Sequence, residues 1–243
     1  MSDDGARADG LDRAELVARL AHEVRGPVTT LRGLAGTALA HYEGLSDDER
    51  KDFLGLIRTE AERLEATVEQ VALALRLDAG AIRIEPGRHD LAAIARSAVE
   101  AEEMDDHPVE VEASEPVEAT IDPRHLTTVV RQLVRNAAAF SPPEAPIVLA
   151  VRRDAGEAVL EVRDRGPGIP AERREEVFER FTGWRPPGYE TAPGSGLGLF
   201  IARTLVREHG GSISIVDAPE GGTMLAVRLP LEDARGTNDA PDL

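Results

Sequence analysis

The side chains best suited to chemistry fall in three places along the chain. His22 and Glu23 are neighbours inside an amphipathic helical stretch, and Asn136 lies in a second one. Asp164 follows a β-rich run and opens a glycine-rich turn. An imidazole can act as a nucleophile, an amide oxygen can bind a divalent metal, and glycine backbones can approach phosphate groups closely. The elements around these residues must show whether they belong to one site.

The stretch "ELVARLAHEVRGPVTTLRGLAGTAL", residues 15–39, contains Gly26-Pro27 in its middle. Gly-Pro is a common turn signal, but the apolar spacing keeps its helical phase from Leu20 to Leu31. We therefore predict a single kinked helix, because proline removes one helical hydrogen bond without changing the phase. His22 falls on the small, polar face, so we expect it to be exposed. An exposed helical histidine usually has no special role, and other segments must change that expectation.

Composition narrows the class of protein. The 243 residues are 42% hydrophobic and 3% aromatic, enough for a core built mainly from aliphatic side chains. There is no cysteine, which excludes disulfides and thiolate metal sites and indicates a reducing compartment. A formal net charge of −17 argues against nucleic acid or an anionic membrane as a partner. No run reaches membrane-span length and the start is not a signal peptide, so we expect a cytoplasmic protein.

The first domain is predicted to be a helical hairpin. Its first helix runs from about residue 11 to 42, and Ser46 with Glu49 forms a capping box that starts the second. The second helix carries an apolar seam of Phe53, Ile57, Ala61, Leu64, Val68, Val71 and Leu75. One hairpin cannot bury both of its seams, so we expect a homodimer with a four-helix bundle. Packing of the hairpin on its own second domain is the alternative.

The second domain is predicted to have an α/β layer architecture. Its β-rich runs are "AIRIEP", "VEVEA", "VEATI", "IVLAVRR", "AVLEVRD", "GSISIVD" and "TMLAVRLP". They alternate with helical segments at about 90–103, 123–139, 172–180 and 197–209. We place the domains at 11–78 for the hairpin and 79–231 for the α/β domain, between polar tails at 1–10 and 232–243.

Two glycine loops and one helix face in the second domain carry the binding chemistry. "RDRGPGIP" contains Asp164, Gly166 and Gly168, and "PGSGLGLFIARTL" contains Gly194, Gly196 and Gly198 before opening a helix. Such loops allow backbone N–H groups to approach phosphates, but neither is a Rossmann or P-loop motif. Gln132, Asn136 and the pair Ala139-Phe140 share a helix face. A buried asparagine there needs partners, and a divalent metal is a suitable one.

The ordered set "HEVRGP", "QLVRNAAAFSP", "DRGPGIP", "FERF", "GSGLGLFIA" and "GGTMLAVRLP" resembles the catalytic core of bacterial two-component sensor histidine kinases. Each motif is weak alone, but the combination in this order is specific and covers residues 11–231. The resemblance implies an α+β fold: an antiparallel helical hairpin forming a dimeric four-helix bundle, then a two-layer ATP-binding domain of the histidine kinase, gyrase and Hsp90 type.

The resemblance also implies roles for matching positions. His22 would accept the phosphoryl group of ATP and pass it to an aspartate of a response-regulator receiver domain, while Glu23 would orient the imidazole and accept its proton. Asn136 would bind Mg²⁺, and Asp164 would accept a hydrogen bond from the adenine amino group. The glycines would shape the pocket and the phosphate cradle beneath a lid at 182–193: Gly166, Gly168, Gly194, Gly196 and Gly198.

Three positions depart from the family pattern. Gln132 stands where an asparagine is usual, and it is a second candidate metal ligand. Ala139 replaces a lysine that neutralises phosphate charge, so Arg135, Arg131 or Arg185 must substitute, or turnover is low. Gly26 replaces the threonine or asparagine one helical turn after the phosphoacceptor. No sensory domain precedes the hairpin, so we expect either a fragment or a separate input protein.

Two other functions fit parts of the pattern. A phosphorelay adaptor with a decayed nucleotide site would agree with Ala139 but not with the intact Asp164 and glycine loops. Another ATPase or serine kinase of the same ATP-binding fold would lack the "HEVRGP" hairpin. Nucleotide binding distinguishes the adaptor from the others, and the chemical lability of the phosphorylated residue distinguishes histidine from serine.

Overall fold

The computed structural model describes residues 4–102, 107–192, 194–218 and 221–231, with the backbone alone at 4–17, 19–20 and 22–23. The chain forms two compact units, Met1–Leu75 and Arg76–Leu243. The first unit consists of two long helices joined by a short connection, and the last three residues of the second helix, 76–78, belong to the second unit. The second contains three helices and seven strands among the residues described.

Helix α1, Asp4–Ala40, continues through Gly26-Pro27 without a break. The prediction of one helix is therefore confirmed, although it starts earlier than expected, inside the segment assigned to a polar tail. Ala6, Arg7 and Ala8 in that segment favour helix formation, which is consistent with the longer element. After the proline, Thr29 Oγ1 donates to the carbonyl of Arg25 at 2.8 Å, a side-chain bond typical of bent helices.

The connection to helix α2, Asp47–Asp78, is closed by local contacts. The connection contains one 3-10 turn, Tyr42–Gly44. Arg50 Nη2 donates to the carbonyl of Tyr42 at 2.9 Å, and the Arg50 guanidinium lies 4.5 Å from the Tyr42 ring centroid. The predicted capping box is present: the Glu49 N–H donates to Ser46 Oγ at 3.3 Å, and the Ser46 N–H donates to Glu49 Oε2 at 2.8 Å. The Ser46 N–H and the Ser46 hydroxyl, which both donate to Glu49 Oε2, lower the pKa of the Glu49 carboxyl.

The apolar seam of α2 is only partly covered within one chain. Val68 keeps 48% of its surface exposed and Leu75 keeps 42%. Leu54 and Leu56 elsewhere on the same helix are 66% and 55% exposed. Apolar surface of this extent on one helix leaves room for a partner.

The second unit is a five-stranded mixed sheet with helices against it. The sheet order is β2-β4-β5-β7-β6, in which only the β2–β4 pair is parallel. These strands are β2 Val109–Glu112, β4 Ile147–Asp154, β5 Glu157–Arg163, β6 Ser212–Asp217 and β7 Thr223–Pro230. Two further strands, β1 Gly87–Asp90 and β3 Glu118–Ile121, form a separate antiparallel pair.

Three helices form the second layer: α3 Leu91–Glu100, α4 Pro123–Phe140 and α5 Gly198–Glu208. Helix α4 contacts β4 and β5, and α5 contacts β6, β7 and α4. The core between the layers is mainly aliphatic, with Leu126, Leu133, Leu149, Leu160 and Leu205 inaccessible to solvent. This core fixes α4 and α5 side by side, and both helices carry candidate site residues.

Two sequence predictions about this unit are wrong. "AIRIEP", expected to be a strand, has no strand pairing, because the backbone N–H of Glu85 donates to the Asp122 carboxylate at 3.0 Å. The strand pairing begins only at Gly87. Residues 172–180, expected to be helical, form two single 3-10 turns, Ala171–Arg173 and Glu176–Phe178.

Candidate functional site

Helix α4 is fixed at its start by a buried carboxylate. Asp122 is the N-cap: its Oδ1 accepts from the Arg124 N–H at 3.0 Å, and Pro123 occupies the first turn. Burial raises the pKa of Asp122, but bonds from Arg124 and the Glu85 N–H and the nearby His125 outweigh it, so the pKa lies well below its usual range. The Asp122 N–H in turn donates to Nε2 of the buried His209 at 3.0 Å, joining the start of α4 to the end of α5.

The face of α4 predicted to carry metal ligands is turned toward the glycine loop. Gln132 is 8% exposed, and its Oε1 lies 2.9 Å from the position that a Cβ on Gly198 would occupy. Asn136 is half-buried one turn further along the same face. Gln132, Asn136 and Phe140 thus follow one another at about 6 Å intervals along the helix.

Asp164, at the end of β5, is 4% exposed. Its Oδ1 accepts two backbone N–H groups, from Gly166 at 2.8 Å and from Thr223 at 2.9 Å. Burial raises the pKa of this carboxyl, and the backbone donors oppose that effect only partly. A carboxylate held by fixed donors on one oxygen is a rigid acceptor at a buried position.

The backbone around Asp164 packs too closely for larger residues. A Cβ on Gly166 would collide with the carbonyl of Phe140 at the end of α4, and one on Gly222 would collide with the Asp164 carbonyl. A Cβ on Gly168 would lie 3.2 Å from the Gly222 carbonyl oxygen. The first glycine turn therefore connects the end of α4 to the loop before β7.

The second glycine loop is held against the first residues of the lid. The N–H of Phe181 donates to the Gly196 carbonyl at 3.0 Å. Gly196 has φ +70°, and a Cβ there would lie 2.6 Å from the Thr182 carbonyl oxygen. Only glycine fits both constraints. Ser195 Oγ accepts from the N–H of Leu197, and Gly198 then begins α5.

The described part of the lid, residues 182–192, is organised around Arg185. Its Nη2 donates to the Gly194 carbonyl at 2.8 Å, and its Nη1 donates to the carbonyl of Trp184 at 3.0 Å. The guanidinium lies 5.8 Å from the ring centroid of Phe140, and the Tyr189 ring lies 6.0 Å from the same ring. The lid therefore rests on the last residue of α4.

Two of the three arginines proposed to replace the missing lysine are paired with a carboxylate. Arg135 Nε donates to Glu102 Oε2 at 2.7 Å, and Arg131 Nε donates to the other oxygen of Glu102. The Glu102 side chain is 7% exposed. Arg185, by contrast, forms its hydrogen bonds with backbone carbonyls in the part of the chain that the structure describes.

The structure brings together most of the residues that the sequence singled out in the second domain. Both glycine loops and the lid meet on α4: Gly198 at Gln132, then Gly166, Arg185 and Tyr189 at Phe140. Asn136 lies between these two places on the same face. The side chains of His22 and Glu23 lie outside the described residues, so their roles stay predictions.

Sequence reasoning missed two contributors to this site and the role of a third. Phe140 was placed on the asparagine face of α4, but its carbonyl against Gly166 and its ring beneath the lid were not expected. Thr223 fixes Asp164 through its backbone N–H, and the preceding glycine pair was the available signal. Glu102 accepts hydrogen bonds from Arg131 and Arg135, which lie more than 25 positions away in the sequence, and no local pattern indicates such a partner.

Comparison with known proteins places these features in a family. Residues 12–80 match the His Kinase A (phospho-acceptor) domain, and residues 121–233 match the histidine kinase-, DNA gyrase B- and HSP90-like ATPases. The solved mycobacterial sensor histidine kinase MprB is 33% identical, with a TM-score of 0.52 over 60% of this chain and 97% of that one. The chain belongs to the sensor histidine kinases. The predicted family and α+β fold class are thereby confirmed.

Two curated relatives of this histidine kinase are longer than the chain. The signal transduction histidine-protein kinase AfsQ2 of Streptomyces coelicolor is 34% identical over 226 residues, covering 88% of this chain and 41% of AfsQ2. The probable sensor histidine kinase TcrY of Mycobacterium tuberculosis is 33% identical over 230 residues, covering 93% of this chain and 48% of TcrY. The chain therefore spans less than half the length of these relatives.

A second solved structure shares the fold over most of the chain. Histidine kinase AdeS of Acinetobacter baumannii is 22% identical, with a TM-score of 0.65 over 87% of this chain and 98% of that one. Among the residues described for this histidine kinase, no helix combines the length and apolar character needed to cross a membrane.

Proposed function

We propose that this chain transfers the γ-phosphoryl group of ATP to His22 and then to an aspartate of a response-regulator receiver domain. The observation that carries the proposal is the convergence of the Asp164 turn, the glycine loop and the lid on one face of α4. A ligand with a flat polar base at one end and several phosphates at the other fits that arrangement.

Adenine would bind at the Asp164 end. The Asp164 Oδ1 atom accepts the Gly166 and Thr223 N–H groups, and the carboxylate can accept a further bond from an exocyclic amine. Because Asp164 is buried, leaving its partner unpaired is unfavourable, which favours a base that donates there.

The phosphates would lie between Asn136 and the loop from Gly194 to Gly198. Magnesium bound to phosphates needs only one or two protein oxygen ligands in near-octahedral geometry, and the Asn136 and Gln132 amides supply two on one helix face. When bound, the metal would neutralise phosphate charge. The close approach of Gln132 Oε1 to Gly198 keeps that amide beside the cradle.

Arg185 is the best candidate for the positive charge that Ala139 lacks. Arg135 and Arg131, the other two candidates from the sequence, are both paired with the buried carboxylate of Glu102, so their charges are already compensated. Arg185 bonds carbonyls at both ends of the lid, including that of Gly194 in the phosphate loop. An arriving phosphate would compete for the guanidinium with neutral oxygens only, which favours binding by Arg185.

The phosphoacceptor would be His22, and its neighbour Glu23 would act as the base. Glu23 would accept the proton from one ring nitrogen of His22, and the other nitrogen would attack the γ-phosphorus. The new N–P bond forms as the bond from phosphorus to the bridging oxygen breaks, and ADP leaves with that oxygen. Transfer to a receiver aspartate would then exchange the N–P bond for an acyl phosphate and restore the imidazole.

We also propose that the active form is a homodimer. The exposed apolar side chains of Leu54, Leu56, Val68 and Leu75 support an association through α2. A second hairpin of the same kind would bury such faces in a four-helix bundle. Sedimentation of the full chain should give twice the monomer mass, and a monomer at micromolar concentration would contradict the dimer.

The proposed activity is tested by incubating the full chain with γ-labelled ATP and Mg²⁺. Phosphohistidine is acid-labile and alkali-stable, so the label should be lost in acid and retained in alkali. A label stable in acid would indicate a serine kinase. Nucleotide binding without any labelling would contradict the phosphoryl transfer.

A further inference from the structure

The last residue of α2 is held by an arginine at the base of the lid. Asp78 forms an ion pair with Arg180, with side-chain exposures of 25% and 34%. Helix α2 ends there in a tight turn: Gly80 has φ +59°, and the Ala81 N–H donates to the Arg76 carbonyl at 2.9 Å. The pair thus joins the end of a helix to a segment 102 positions further along the sequence.

Arg180 connects this helix end to the nucleotide site. It is followed by the buried Phe181, whose N–H donates to the Gly196 carbonyl, and by the lid. Its guanidinium also lies 5.0 Å from the ring centroid of Phe200, in the first turn of α5. One side chain therefore contacts the end of α2 and the helix that the glycine loop opens.

Local helix stability does not explain an aspartate at position 78. The carboxyl end of a helix carries partial negative charge, so an acidic side chain is unfavourable there unless a cation lies beside it. Arg180 supplies that cation. Partly exposed ion pairs of this kind change equilibria by only about two- to fivefold, so the contact can form and break readily.

We propose that Asp78 and Arg180 form a positioning pair that couples the end of α2 to the lid, so that nucleotide binding tightens both together. The coupling rests on the proposed ATP binding. Because coupling between two places is reciprocal, a ligand that orders the lid must also order the last turn of α2 if the pair transmits the effect.

Hydrogen exchange in the full chain tests this coupling. A non-hydrolysable ATP analogue should slow exchange at the amides of Gly80 and Ala81 by about two- to fivefold. Asp78→Asn and Arg180→Ala should each abolish that protection. The charge swap Asp78→Arg with Arg180→Asp should restore part of it, which a role confined to local stability would not produce.

Arg203 provides a matched control. It pairs with Glu175 at 3.3 Å and lies 5.1 Å from the Phe178 ring centroid, so it makes the same two kinds of contact without touching α2. Arg203→Ala should keep the protection at Gly80 and Ala81. Protection that persists in Asp78→Asn and Arg180→Ala would overturn the coupling.

Fluorescence of Trp184, in the lid, separates this coupling from the proposed function. A normal response to nucleotide with no change in exchange at Gly80 and Ala81 would overturn the coupling alone. Absence of any nucleotide response in the parent protein, confirmed by calorimetry, would overturn the proposed ATP binding and the coupling with it.

Discussion

The Oε1 atom of Gln132 lies 2.9 Å from the point where a Cβ on Gly198 would stand, so the Gln132 amide on helix α4 packs directly against the first residue of α5. The proposed metal ligand Gln132 and the proposed phosphate loop, which ends at Gly198, therefore pack directly against each other. A change at either residue should be felt at the other.

Gly198→Ala should weaken ATP binding by about three- to tenfold, because the new methyl group must displace the Gln132 amide. Calorimetric titration with Mg-ATP measures the change. Gly44→Ala is the matched control, since Gly44 lies in the connection between α1 and α2 and a Cβ there meets nothing within 4 Å. Adding Gln132→Ala to Gly198→Ala should not weaken binding by the full sum of the two single effects, and strict additivity would contradict the contact.

Asp164→Ala should weaken ATP binding roughly 10- to 100-fold, because it removes the buried acceptor for the adenine amine. Trp184 fluorescence and calorimetry provide two measurements of the affinity. Equal ATP affinity in the mutant and the parent would show that Asp164 does not read the base.

Asp164→Asn tests the buried charge itself. Burial raises the Asp164 pKa above 3.8, so between pH 3.8 and that raised pKa the folded state binds more protons than the unfolded state. The free energy of unfolding of the parent should therefore fall as pH rises through that interval. The Asn variant should lack this fall and be more stable at pH 7, while binding ATP less tightly. Denaturant unfolding at several pH values gives the comparison, and parallel curves would refute the assignment.

Gly26→Thr should introduce phosphatase activity. The resemblance to the family implies that a threonine or asparagine one turn after the phosphoacceptor would position the hydrolytic water, and Gly26 has no side chain to do so. The position is exposed, and a Cβ there meets nothing within 4 Å, so the variant should fold normally. Phosphorylated receiver domain mixed with ADP and either protein should lose phosphate slowly with the parent and faster with the variant. Rapid loss with the parent, unchanged in the variant, would defeat this prediction.

The sequence predicted correctly those elements whose structure depends on residues close together in the chain. The helical phase across Gly26-Pro27 correctly indicated a single α1, and the spacing of Ser46 and Glu49 indicated the capping box. The alternation in "AIRIEP" wrongly indicated a strand. The Glu85 N–H, which strand pairing would have used, donates to the Asp122 carboxylate instead. A partner 37 positions away leaves no trace in the pattern.

The candidate site was predictable to the same degree. Asp164 and the glycines were singled out because several motifs, each weak alone, occur together in one specific order. The choice among the three arginines could not be predicted from the sequence, because it depends on Glu102, which lies 33 positions from Arg135. Phe140 was grouped with the metal ligands by helical spacing, but its contacts with the lid depend on the tertiary fold.

The central claim is that His22 receives the phosphoryl group, and the direct measurement is the position of the label after reaction with γ-labelled ATP. His41 is the matched control, because it is another histidine of the helical unit and is exposed. The parent and His41→Ala should incorporate acid-labile label to a similar extent. His22→Ala should incorporate none while keeping its ATP affinity and its dimer. Undiminished labelling of His22→Ala would contradict the account.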